Sequence, residues 1–114
     1  MNAGDIVLVP FPTAEAKEGK HRPVLILACV PSPFHDYVAC MISSRIHQAI
    51  DKFDLVVRPE DAGFAETGLK VASLVRLGRL ATLNESIFAG VLGRVSDTVL
   101  ASAHRHLREL FSFN

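Results

Sequence analysis

Three short stretches hold side chains suited to phosphate chemistry. Lys20-His21-Arg22-Pro23 sets three basic groups directly in front of the apolar run Val24-Leu25-Ile26-Leu27. A residue before proline is pushed towards extended backbone, so Arg22 is held more firmly than an ordinary loop arginine. A guanidinium placed there can give two parallel hydrogen bonds to one phosphate. An imidazole at His21 can take up and give back a proton. The plain alternative is a solvated basic cluster capping the edge of a sheet. Ser43-Ser44-Arg45 is the second stretch. Two hydroxyls at a strand end can donate to phosphate oxygens and Arg45 adds charge, although serines after strands also serve as ordinary turn residues. Arg76 and Arg79, in an otherwise apolar segment, are the third; they can reach a nucleic acid, a partner's carboxylate or only water.

Several other chemistries are excluded by what is missing. No Walker loop, GxGxxG, HExxH, CxxC or GxSxG occurs, which removes the nucleotide, zinc and hydrolase sites that those patterns build. His35, His47, His104 and His106 show no metal spacing tied to a carboxylate and read as solvated side chains. No metal and no cofactor is expected.

The chain that must position these groups has 114 residues, with twelve basic and twelve acidic side chains that cancel. That length suits a single domain, 1–114, with one core. Its hydrophobic share of 49% places it among globular proteins, and such a surplus in a small chain suggests that a partner covers some surface. The neutral total hides an uneven distribution: acids gather between Asp51 and Glu66, whereas Thr67 to Asn84 carries Lys70, Arg76 and Arg79 and no acid. Cys29 and Cys40 lie in apolar runs and read as buried, reduced thiols. Without a signal sequence or an apolar run long enough to span a bilayer, a soluble, cytoplasmic protein with no membrane role is expected.

Proline and glycine punctuate a series of short strands. Expected strands are Ile6 to Val9, Val24 to Val30, Tyr37 to Ile42, Phe53 to Val57 and Leu69 to Leu77, the last buried on both faces. Arg79 to Leu83 continues that strand or forms another, and Phe88 to Val95 adds one more, bent at Gly90 and Gly93. Thr13 to His21 reads as a loop. Ser96 is a helix N-cap with Asp97 in the first turn. Val99, Leu100, Ala103, Leu107, Leu110 and Phe111 then follow at helical spacing as a core-facing stripe, with His104, Arg105, His106 and Arg108 opposite. The fold class is mainly β: a small, strongly curved barrel closed by a C-terminal helix.

Taken in order, GDIVLVPFP, KHRPVLIL, the MISS strand end, GLKVASLVRLGRLATLNES and GRVSDTVL resemble the PemK/MazF family of ribonuclease toxins from bacterial toxin–antitoxin pairs, from Gly4 almost to the C-terminus. The resemblance implies an SH3-like barrel, usually a homodimer. It also implies metal-independent cleavage of single-stranded RNA, in which the RNA's 2′-hydroxyl attacks the adjacent phosphorus to leave a 2′,3′-cyclic phosphate and a 5′-hydroxyl.

On this resemblance the family's arginine of the RP step falls on Arg22, which would stabilise the charged phosphorane. The family's usual threonine falls on Ser43, a mild change that keeps the hydroxyl. His21 matches a position where some members carry histidine. Lys20, Ser44, Arg45, Arg76 and Arg79 would guide RNA. Some members carry an acid where this chain has Val75, so one general base of the family is missing here. The implied partners are single-stranded RNA, a cognate antitoxin, a second copy of the chain and, for a toxin–antitoxin complex, operator DNA. The alternative is a non-catalytic module of the same fold that binds antitoxin or DNA. An SH3-type peptide site is disfavoured, since the chain has no tryptophan and one tyrosine.

Overall fold

The computed structural model describes residues 1–10 and 20–112. The expected loop from Thr13 therefore lies almost wholly outside the described residues. Six strands, β1 (Asp5–Pro10), β2 (His21–Cys29), β3 (Asp36–Ser43), β4 (Leu55–Val57), β5 (Ser73–Asn84) and β6 (Gly90–Arg94), precede one helix, α1 (Asp97–Leu110). All pairings are antiparallel and the sheet order is β4-β5-β3-β2-β1-β6. The sheet curls into a half-barrel with α1 against one side. No helix among the described residues is long and apolar enough to cross a membrane.

Strand alternation divides the apolar residues between two clusters. Ile6, Leu25, Leu27, Cys40, Ile42, Val75 and Leu77 face the side that receives Val95 and Ala103, with Val99, Leu100 and Leu107 of α1 packed on them. Val7, Val9, Val24, Ile26, Tyr37 and Ala39 form the second cluster, with Met41, Leu83 and Phe88 at its border. The Tyr37 and Phe88 rings meet there at 5.6 Å.

Several expectations change. β2 starts at His21, not at Val24, because His21 and Arg22 already pair with Pro10 and Val9 of β1. The segment expected as a strand from Leu69 enters the sheet only at Ser73; it then runs unbroken through Arg79 to Asn84, the continuation of the two alternatives. Val71, ahead of it, is exposed, and burial on both faces is confined to the stretch around Leu74 and Val75. Cys40 is buried but Cys29 is exposed, its Sγ turned to the Met1 carbonyl. The apolar stripe of α1 ends early, since Leu110 and Phe111 lie about half exposed.

The helix is fastened by polar contacts as well. Ser96 caps it, its Oγ accepting the Val99 N–H at 3.2 Å. His104 Nε2 donates to the Leu27 carbonyl at 2.8 Å and His106 Nδ1 to the Phe53 carbonyl at 2.6 Å. A carbonyl can only accept, so each partner fixes which ring nitrogen carries the proton. These two histidines, expected to be solvated, are structural clips. Gly93, expected at a bend, is instead needed for close approach: a Cβ there would stand 2.3 Å from the Glu66 carbonyl oxygen. Opposite it Gly68, at φ +73°, leaves no more room, with the Leu92 carbonyl oxygen 2.2 Å from its would-be Cβ.

Candidate nucleic-acid interface

The ladder between β2 and β3 ends with Val24 opposite Met41. Two steps further along the two antiparallel strands stand Arg22 and Ser43, so the register itself brings the arginine before the proline to the hydroxyl at the strand end. Arg22 is exposed and braced by its pairing with Val9 on the other side. Ser43 Oγ accepts the Arg45 N–H at 3.1 Å. That bond uses a lone pair and leaves the hydroxyl proton free to be donated.

On β5 the register jumps. Neighbouring Cys40 and Met41 on β3 face Leu80 and Arg76, which leaves Leu77, Gly78 and Arg79 without a partner on β3. Such a bulge bends a strand and re-aims its side chains. Its free amide is met by Asp54, whose Oδ1 accepts the Leu77 N–H at 3.1 Å while Oδ2 accepts the Ile50 N–H at 2.9 Å. Asp54 thereby ties the turn after β3 to the bulge. Arg76 Nη1, beside that bulge, donates to Gln48 Oε1 at 3.3 Å.

Two open depressions result, and they share Arg22, Ile42 and Ser43. The first, about 300 Å³, is lined by Arg22, Ser43, Arg45, Gln48, Arg76 and Arg79 over a floor that includes Met41. The second, about 230 Å³, adds Lys20, His21, Ser44 and Lys70 over Leu69 and Val71. Every residue expected at the site from the sequence lines one or both. Lys70 was noted with the basic groups but not put at the site, and Gln48 and Asp54 were missed, since a glutamine in a turn and an aspartate among other acids carry no pattern of their own.

Among the described residues no carboxylate lines either depression, and no arginine of the cleft is ion-paired to an acid. Four guanidiniums without countercharge make a local field that attracts anions although the chain as a whole is neutral. The missing acid at position 75 also takes on a different meaning. Val75 is fully buried and packs with Leu77 in the helix-side cluster, so a carboxylate there would enter the core and not the cleft. Nearby, burial and then the charge of Asp54 push the Cys40 thiol up to about 12, which makes it an inert core residue. No group of three or more metal-ligating side chains gathers among the described residues.

A curved antiparallel half-barrel backed by a C-terminal helix is the fold of MazF-like proteins. An endoribonuclease solved in complex with its cognate antitoxin, from a mycobacterial species, superposes with a TM-score of 0.70 at 14% identity, covering 100% of this chain and 99% of that one. MazE–MazF (form II) from Deinococcus radiodurans gives 0.69 at 22% identity, covering 100% and 97%. The chain belongs to the family of PemK-like, MazF-like toxins of type II toxin–antitoxin systems, whose model matches residues 2–111. No curated protein matches the sequence.

Proposed function

We propose that this chain is the endoribonuclease toxin of such a system, cutting single-stranded RNA without a metal. The observation that carries the reading is the meeting of Arg22 and Ser43 at the seam shared by both depressions. A phosphate seated there has nucleotides leading away on either side.

In the reaction the 2′-oxygen of the preceding ribose bonds to phosphorus and the P–O5′ bond breaks. The products are a 2′,3′-cyclic phosphate and a 5′-hydroxyl. The 2′-hydroxyl proton leaves to a base and the departing 5′-oxygen takes one up. Arg22 donates to the non-bridging oxygens as their charge grows, and the free proton of Ser43 adds a second donor. His21, which lines the second depression, would exchange a proton with one of the two bridging oxygens. Lys20, Ser44, Arg45, Arg76 and Arg79 hold the chain of phosphates. A second copy of the chain would extend the groove. A cognate antitoxin would block it with an acidic, disordered tail, for which the uncompensated arginines are suitable partners.

Incubating the purified protein with a long single-stranded RNA in EDTA, beside Arg22→Ala, tests this. Discrete fragments from the wild type and a loss of rate on the order of a hundredfold or more in the variant are expected. Arg22 is exposed, so the variant should melt with the wild type. Equal cleavage by both would remove Arg22 from the site.

One observation favours a second reading, a module that binds antitoxin or operator DNA without cutting. Among the described residues the lining lacks a carboxylate, and Asp54 is committed to two backbone amides. RNA that stays intact while bound in a salt-sensitive manner would support it.

A further inference from the structure

The two depressions differ in the kind of contact they offer. The second sets Lys20, His21, Lys70 and the hydroxyls of Ser44 and Ser73, groups that donate and accept, beside apolar Leu69 and Val71. The first is directional. Arginine only donates, so the Gln48 oxygen must be the atom facing Arg76 Nη1, and its amide nitrogen points away with two N–H groups to give. Arg22, Arg45, Arg76 and Arg79 offer donors alone. The Ser43 oxygen spends one of its two lone pairs on the Arg45 N–H and keeps its own proton to give. Donors therefore predominate among the polar side chains lining this depression, around a space suited to one nucleotide unit.

We infer that this depression is a base-reading subsite selective for keto bases, uracil or guanine, with Gln48 as the specificity-determining residue. This rests on the nucleic-acid reading above and deepens it. A carbonyl at uracil C4 or guanine C6 accepts from the Gln48 amide. The amino group of cytosine or adenine at the same place meets a donor with a donor, and a desolvated, unpaired amide is what discriminates. Arg76 holds the glutamine in this orientation.

The test uses short 2′-fluoro oligonucleotides, which lack the attacking hydroxyl and stay intact, in the matched pairs oligo-U against oligo-C and oligo-inosine against oligo-A. Each pair exchanges a keto for an amino group with little change of shape. Tighter binding of U over C and of inosine over A, on the order of tenfold, is expected. Gln48→Met should erase the difference, bringing U and inosine down towards the affinities of C and A while phosphate-dependent binding of all four remains. Gln48→Glu, which adds an acceptor beside Arg76, should move the preference towards C and A. Equal affinities within both pairs for the wild type would overturn the subsite and leave phosphate binding standing. A preference that survives Gln48→Met would overturn the role of Gln48. No binding of any oligonucleotide at low salt would overturn this inference together with the nucleic-acid reading.

Discussion

The carboxylate of Asp54 accepts the backbone N–H of Leu77 at 3.1 Å, one residue beyond Arg76 and two before Arg79. A side chain from the turn after β3 thus replaces the ladder bond that the β5 bulge gives up. Asp54→Ala should cost on the order of 1–3 kcal/mol, several degrees in Tm for a chain this small. RNA affinity should fall by more than a surface substitution would explain, because Arg76 and Gln48 lose their common anchor. Asp54→Asn, which supplies one acceptor in place of two, should fall between. Thermal melts paired with RNA titrations check both effects; an unchanged affinity in Asp54→Ala would separate the bulge from the cleft.

Close approach at Gly93 makes a prediction remote from the cleft. A methyl group there runs into backbone carbonyls of Glu66 and Thr67, which cannot swing aside. Gly93→Ala should lower stability by about 1–3 kcal/mol. Gly90→Ala, where nothing lies within 4 Å of the added carbon, should leave it nearly unchanged. Denaturant midpoints for the pair decide the matter.

Salt should report how many arginines meet phosphate. If Arg22, Arg45, Arg76 and Arg79 each neutralise one, the slope of log affinity against log salt for single-stranded RNA is about −3. Arg79→Ala should make the slope shallower by roughly 0.7. A slope that does not change would place Arg79 outside the phosphate path.

The two cysteines should behave oppositely. Exposed Cys29 should react with a thiol reagent in the native protein, and Cys40 only after unfolding. Cys40 has its pKa raised in the fold, from 9.0 to about 12, so the fold favours the neutral thiol. Its contribution to stability is present below pH 9 and is lost as pH rises from about 9 towards 12. Melting temperatures across that window should fall more steeply for the wild type than for Cys40→Ala. Parallel slopes would mean that Cys40 contributes nothing to alkaline sensitivity.

The strands were legible in the sequence because proline and glycine mark their ends and alternation marks their faces. Ser96 announced the helix. Arg22, Ser43 and the basic groups around them were legible as residue types suited to phosphate, and their order along the chain carried the likeness to the toxin family. What sequence could not supply was register. Nothing in the letters around Leu77-Gly78-Arg79 says that three residues bulge out, and so nothing pointed to Asp54 as the acceptor for the amide released there. His104 and His106 failed for a related reason: a histidine on the polar side of a helix reads as solvated until the carbonyls of Leu27 and Phe53 are seen to lie beneath it. Position 75 looked like a lost functional group until pairing turned it towards the core.

The cleft takes its strand-borne residues from β2, β3 and β5, which are contiguous in the sheet and flanked by β4 on one side and by β1 and β6 on the other. Sheets open from their edges, where ladder bonds are easiest to exchange with water. Fraying of β4 or β6 therefore leaves the Arg22–Ser43 seam intact. The paired amides of β2, β3 and β5 beneath that seam should therefore exchange more slowly than those of β4 and β6, and the geometry of the site should outlast the fraying of either edge.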